Sequence, residues 1–213
     1  MNKIVQSMAE AMAGIRDGAV VLLGGFGNIG QPHALLDGLI EQGAKNLTVV
    51  SNNAGVGRAG LARLLDLGRV RKIICSYPRT ADPVVFEELY RAGKIELEIV
   101  PQGTMAERMR AAGAGIPAFY TPTSVGTLLA KGKEVREFSG RDYVLEEAFH
   151  GDVALIDGLI EHGAKDLTVV SNNAGVGRIG LARLLELGRV RKIICSYPRT
   201  VDPVVFEELY RAG

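Results

Sequence analysis

The chain has 213 residues, 47% hydrophobic and 23% charged, with a formal net charge of +1. That balance excludes a disordered chain, and Lys and Arg interspersed with Asp and Glu give no long-range field that would gather nucleic acid. No run nears the ~18 apolar residues of a membrane span and residues 1–10 lack the apolar stretch of a signal peptide, so a soluble cytoplasmic protein is expected.

In chain order, Ile4, Val5, Met8, Ala11, Met12 and Ile15 form a helical stripe, closed by the turn Asp17-Gly18. Residues 19–23 are a short β-branched run that predicts a strand entering the glycine loop Gly24-Gly25-Phe26-Gly27-Asn28-Ile29-Gly30. Pro32 suits the first turn of a helix, Leu35, Leu36, Leu39 and Ile40 supply its buried face, and Gly43 ends it. Strands are predicted over 47–50, 70–75 and 95–100, with helices over 61–67, 83–92 and 106–112. Residues 113–126, rich in Gly and Pro, read as a loop, residues 134–145 as a polar hairpin around Ser139-Gly140, and residues 153–156 as a further core strand. Strands alternating with helices imply an α/β fold, a mainly parallel sheet with helices on both faces.

One feature is unusual. Residues 37–93 recur as 157–213 with five differences, Gln42/His162, Asn46/Asp166, Ala59/Ile179, Asp66/Glu186 and Ala81/Val201. Two long copies are no solenoid, whose units are ~20 to 50 residues and occur at least three times. Cys75 and Cys195 fall at the same place in the two copies, so they are one cysteine environment used twice rather than a disulfide framework.

The loop satisfies G-x-G-x-x-G between a strand and a helix, the context of a dinucleotide fingerprint. Bare glycine amides and the positive end of the following helix would suit a phosphate. A nicotinamide-dependent oxidoreductase is one reading, and a tight turn that binds nothing is another. Against the first, the next strand ends Ser51-Asn52-Asn53, where a ribose-binding Asp or Glu is expected.

The longer pattern is more specific. Asp17-Gly18, Val21-Leu22-Leu23, Gly24-Gly25-Phe26, Gly30 and Pro32 at these spacings resemble the signature of the family I coenzyme A transferases. The resemblance runs on through Ser51-Asn52-Asn53-Ala54-Gly55, Ile74-Cys75-Ser76-Tyr77-Pro78-Arg79, residues 87–93, Val100-Pro101-Gln102-Gly103-Thr104 and residues 114–123, and covers essentially everything to Ile156. It implies an α-type, non-nucleophilic subunit of a 3-oxoacid transferase. In that family a glutamate of a β-type partner, in a Ser-Glu-Asn-Gly motif, attacks a short acyl-CoA such as succinyl-CoA. CoA then passes through an enzyme thioester to a 3-oxoacid such as acetoacetate or 3-oxoadipate.

Asn52 stands where that glutamate would be, so no catalytic residue is expected in this chain, and a β-type partner in a hetero-oligomer is. The resemblance associates Gly24, Gly25, Phe26, Gly27, Asn28, Ile29 and Gly30 with coenzyme A, which is a substrate here, with no permanently bound cofactor. Residues 1–156 are expected to form the α-like domain. Residues 157–213 replace the family's usual C-terminal segment and are expected to pack in the same domain. The rival expectation is an inactive duplicated or designed scaffold that self-associates.

The remaining candidates have plainer readings. His33 either approaches a ligand phosphate or is an exposed helix-start residue, and three histidines with no H-E-x-x-H or cysteine pair argue against a metal. Arg58, Arg63, Arg69, Arg71 and Lys72 could meet the phosphates of coenzyme A, but alternating with Leu61, Leu64, Leu65 and Leu67 they are more simply the wet side of an amphipathic helix and its turn. Glu87-Glu88 and Glu146-Glu147 are expected to be solvated pairs, and Cys75 a buried, inert thiol.

Overall fold

The computed structural model describes residues 7–155, 167–173, 185–188, 190–197 and 204–212. The chain divides into two compact units, Met1–Asp157 and Gly158–Gly213.

The first unit is built on a five-stranded parallel sheet. Its strands are β1 (Val20–Leu23), β2 (Leu47–Asn53), β3 (Val70–Tyr77), β4 (Glu96–Ile99) and β8 (Val153–Leu155), in the order β4-β3-β2-β1-β8. Parallel strands are covered on both faces, which is why they read as nearly continuous apolar runs. Val21, Leu23, Leu47, Val49, Ile73 and Cys75 point into the main core. Val20, Leu22, Val50 and Ile74 point to the opposite face, where Val100, Met105 and Met109 meet them.

The helices follow from the route of the chain. Helices α2 (His33–Gln42), α3 (Leu61–Asp66) and α4 (Val84–Arg91) link β1 to β4 by steps in one direction. Right-handed crossovers put all three on one face, where Leu36, Leu39, Leu61, Leu64, Leu65, Val85 and Phe86 fill the core. Helix α1 (Met8–Met12) adds Met12 to the same core, its N-terminus capped by the Ser7 hydroxyl, which accepts from the Glu10 N–H at 3.2 Å. The stripe predicted from Ile4 begins outside the described residues. After β4 the chain crosses the other face as α5 (Gln102–Gly113) and returns beyond β1 as β8.

Several boundaries differ from the sequence pattern, β2 running on to Asn53 among them. Helix α5 starts at Gln102, not near residue 106, because Pro101 can open a helix and the weak helix formers Gly103 and Thr104 hide the first turn. Strand β3 runs on to Tyr77. The stretch 113–126 is not all loop, for it contains β5 (Ala118–Thr121). That strand owes its existence to a distant partner, pairing antiparallel with β7 (Arg141–Glu147), which also pairs with β6 (Val135–Phe138). The β6–β7 hairpin turns at Ser139-Gly140 as expected, both with positive φ (52° and 76°).

The second unit contains β9 (Leu167–Asn173), β10 (Val190–Tyr197) and α6 (Val204–Ala212). Its two strands pair in parallel, Val169 with Ile193 and Asn173 with Tyr197, as Val49 pairs with Ile73 and Asn53 with Tyr77.

Candidate functional site

Strand order reverses between β1 and β8, and in open parallel sheets ligands bind outside the carboxyl ends of the strands at such a point. A cavity of about 300 Å³ lies there, lined by Leu22, Leu23, Gly24 and Gly25 at the end of β1, Ser51 and Asn52 at the end of β2, Met105 and Met109 of α5, and Ala154 of β8. A larger recess, about 550 Å³, is lined by Asp17 and Asp152 among others. Both carboxylates there are engaged by backbone: Asp17 accepts from the Lys45 N–H at 2.7 Å and Asp152 from the Val20 N–H at 2.8 Å.

The glycine loop closes one side of the smaller cavity. Its first N–H, from Gly24, donates to Leu155 of β8 at 3.0 Å. Phe26 and Ile29 then exchange two backbone hydrogen bonds, 2.8 and 3.0 Å, which makes residues 26–29 a tight two-residue turn. The Phe26 and Ile29 side chains project outward, 67% and 76% exposed. No acceptor among the described residues takes the N–H groups of Gly25, Gly27, Asn28 or Gly30.

The turn is held from below by Gln31, which is 1% exposed. Its Nε2 donates to the Gly27 carbonyl at 2.7 Å, and its Oε1 accepts from the Leu61 N–H at 3.1 Å, the first amide of α3. A side chain cannot replace either glycine that touches it. A Cβ on Gly60 would stand 2.3 Å from Gln31 Oε1, and one on Gly25 2.9 Å from its Cγ. Gln31 carried no signal of its own in the sequence; its role depends on a helix thirty residues away.

Asn53 completes the support. Its Nδ2 donates to the Gly27 carbonyl at 3.4 Å and its Oδ1 accepts from the Gly55 N–H at 2.8 Å. A buried amide engaged with its own loop leaves nothing to receive a ribose hydroxyl, so the dinucleotide reading loses its second anchor.

Asn52 is different, half-buried and on the cavity wall. Its Oδ1 accepts from Ser76 Oγ at 2.9 Å and from Gln102 Nε2 at 2.7 Å. Gln102, at the first position of α5, is the second site residue to which the sequence pattern gave no role. The neighbouring Cys75 is fully buried, and burial pushes its thiol up to about 12, which makes it inert.

The other candidates stand away from this chemistry. His33 is exposed at the start of α2, over Gly60. The basic residues pair within the fold: Arg58 with Asp66, Arg63 with Asp37, Arg71 with Glu96, and Lys72 with Glu98, while Arg69 donates to the Gly43 carbonyl. Glu87 pairs with Arg79 and Arg91, and Glu88 is exposed. The expectation for Glu146 was wrong. Successive residues of a strand face opposite sides, so Glu147 is exposed while Glu146 is 2% exposed, with Lys133 Nζ at 2.5 Å and Arg108 at 4.0 Å. Among the described residues no group of His, Cys, Asp and Glu could hold a metal ion, and no helix is long and apolar enough to cross a membrane.

Fold and cleft together define an α/β protein with a cavity at the carboxyl edge of a parallel sheet, bordered by a glycine loop. The chain belongs to the coenzyme A transferase family, whose model matches residues 5–159 and again 154–213. It is 60% identical over 156 residues to the 3-oxoadipate CoA-transferase A-subunit of Pseudomonas putida, 73% of this chain and 68% of that one. It is 49% identical over 156 residues to the succinyl-CoA:3-ketoacid coenzyme A transferase A-subunit of Helicobacter pylori, 73% of this chain and 66% of that one. Among solved structures, an acyl-CoA transferase apoenzyme from Escherichia coli O157:H7 shares the fold with TM-score 0.63 at 21% identity, over 94% of this chain and 44% of that one. Glutaconate coenzyme A-transferase from Acidaminococcus fermentans gives TM-score 0.63 at 19% identity, over 97% of this chain and 69% of that one. The chain thus spans about two thirds of these two A-subunits and under half of the Escherichia coli enzyme.

Proposed function

We propose that this chain is the α-type subunit of a cytoplasmic 3-oxoacid CoA-transferase. A β-type partner supplies the nucleophilic glutamate, and CoA passes from a short acyl-CoA such as succinyl-CoA to a 3-oxoacid such as 3-oxoadipate or acetoacetate. Coenzyme A and its thioesters are substrates, and no group need be held permanently. The relatives named as A-subunits of such transferases support this reading.

The observation that carries it is Asn52. At the end of a central strand, on the cavity wall and receiving two hydrogen bonds, the chain presents a neutral amide where acyl transfer needs a carboxylate. An amide is too weak a nucleophile to form the mixed anhydride, so the carboxylate comes from another polypeptide. The free N–H groups of Gly25, Gly27, Asn28 and Gly30 face no protein acceptor among the described residues, which suits them to the oxygens of a coenzyme A thioester.

The test is reconstitution. The purified chain alone should exchange no CoA between succinate and acetoacetate or 3-oxoadipate, and adding a family β-type chain should restore exchange. Full turnover by this chain alone would refute the placement of the nucleophile, and no gain on mixing would favour the inactive duplicated scaffold.

A further inference from the structure

What the segment 37–93 gives to the first unit, the chain carries a second time. Strand β2 pairs with β1 through Val20–Thr48, Val21–Val49 and Leu22–Val50, and β3 pairs with β4 through Lys72–Glu96, Ile73–Leu97, Ile74–Glu98 and Cys75–Ile99. The residues 120 places on, Thr168, Val169, Val170, Lys192, Ile193, Ile194 and Cys195, are identical, and β9 and β10 already hold them in the same mutual register. Asn52 and Asn53, which tie the segment to Gln102 and to the glycine loop, recur as Asn172 and Asn173, and Gly60-Leu61 beneath Gln31 recurs as Gly180-Leu181.

All five positions at which the copies differ are exposed in the first copy, so every buried side chain of 37–93 has an identical twin. Among the five, Gln42 donates to the Ile15 carbonyl at 2.7 Å, a contact that His162 would meet with a different group, which favours the first copy. The second copy, in turn, is short of neighbours. Among the described residues β9 and β10 form a two-stranded sheet, with Leu185 and Val205 as its buried cluster. Parallel strands patterned for burial on both faces are marginal as a lone pair.

The way into the first unit is duplicated as well. Helix α2 opens His33-Ala34-Leu35-Leu36, and 120 places on stand Val153-Ala154-Leu155-Ile156, the first three of them strand β8. The same Ala-Leu pair is helix in one setting and strand in the other, so its surroundings decide its state. Turning it into a helix start gives up β8, with the buried Leu155 and the hydrogen bond from the Gly24 N–H. That cost keeps the first copy in place in the intact chain.

We propose that residues 157–213 are an internal spare for 37–93. When the first copy is damaged, β9, β10 and α6 take the places of β2, β3 and α4 between β1 and β4, and the damaged segment is released. The exchange needs no new kind of contact, because the same buried side chains meet the same neighbours, and its cost is β8. It happens within one chain, so it does not depend on protein concentration.

Ile73, fully buried in β3, is the residue to damage. Ile73→Asp puts an unpaired carboxylate into the core, which a sheet without a spare does not survive. Here the unfolding of β1, followed in urea by protection of the Val21 amide, should move to a lower midpoint and stay cooperative. Ile193→Asp should leave that midpoint where it is, and the double variant should show no cooperative transition. Loss of the transition in Ile73→Asp alone, or a double variant no worse than Ile73→Asp, would overturn the proposal. Disulfide trapping checks the same exchange without relying on stability. In a Cys75→Ser/Cys195→Ser background with oxidised glutathione, Val21→Cys/Val49→Cys should close rapidly, since the two residues are neighbours in register. Val21→Cys/Val169→Cys should close slowly within one chain, and at least about tenfold faster once Ile73→Asp is added. No disulfide in that last variant, or only one between chains that depends on concentration, would refute the spare.

Discussion

Gln31 offers the sharpest test of how the glycine loop is held. Gln31→Leu keeps the volume and removes both hydrogen bonds, leaving the Leu61 N–H without an acceptor and the Gly27 carbonyl with only the long 3.4 Å bond from Asn53. Each buried group orphaned in this way costs about 1–3 kcal/mol, so the variant should lose roughly 2–4 kcal/mol. Against a total stability of about 5–15 kcal/mol, that is a large fraction. In urea the midpoint should fall with the slope unchanged. Amide exchange should place the change, with Leu61 losing protection while Ile73 in the sheet centre follows only the global decrease.

Gly60→Ala should behave as a coupled lesion, because its Cβ would collide with Gln31 Oε1 at 2.3 Å in a backbone of φ +54°. In a Gln31→Ala background that collision disappears, leaving the backbone strain and a close approach to the exposed His33 ring at 3.0 Å, so the two losses should still sum to more than the double variant shows. Gly27→Ala meets nothing within 4 Å and should cost only the left-handed backbone term, about 1–2 kcal/mol. An unchanged midpoint in Gln31→Leu, or strict additivity with Gly60→Ala, would refute the clamp.

Three further outcomes follow from the buried and ionised groups. Glu146→Ala removes a buried carboxylate and its hydrogen bond from Lys133, whose ammonium is a third exposed and can turn to water, and should destabilise by about 1–3 kcal/mol in urea, where Glu147→Ala is nearly neutral. Burial alone would raise the Glu98 carboxyl, but hydrogen bonds from Lys72 and Arg108 outweigh it and hold the group below its ordinary value. A depressed folded value adds stability above the unfolded value of ~4.3 and loses it as pH falls through the folded one, so Glu98→Gln should flatten acid denaturation below about pH 4.5. In a Cys195→Ser variant, Cys75 should resist iodoacetamide at pH 8 while native and react only on unfolding; rapid labelling of folded protein would contradict its burial.

What the sequence made legible was local. Runs such as Leu47-Thr48-Val49-Val50 announce a strand buried on both faces, and Ser139-Gly140 announces a hairpin, because each rule acts over a few residues. Ala118–Thr121 escaped because a four-residue strand between Pro117 and Pro122 has no pattern of its own; only β7, more than twenty residues on, makes it one. Glu146 looked like half of a solvated pair until strand alternation separated it from Glu147. The loop's position was readable from its glycines, but Gln31 and Gln102 were not, since a glutamine's role is set by the partners the fold brings to it.

The duplication turns that distinction into a physical argument. Strands β9 and β10 pair in the register of β2 and β3, through the same shift after the first pair, and none of the five positions at which 157–213 differs from 37–93 lies in either strand. Register therefore travels with the segment, fixed by the order of its apolar side chains. The site does not travel. The residues 120 places beyond Gly25 and Gln31 are Leu145 and Gly151, so the second copy has neither the glycine turn nor the amide that would hold it. A strand pair can be copied by copying its residues, whereas a binding loop needs the contacts between β1, α2 and α3, and those exist where Gln31 joins Gly27 to Leu61. Any coenzyme A held by this protein through such a loop should accordingly saturate at one equivalent per chain in a calorimetric titration of the assembled complex, and a second equivalent bound in the repeat would show that the clamp is dispensable.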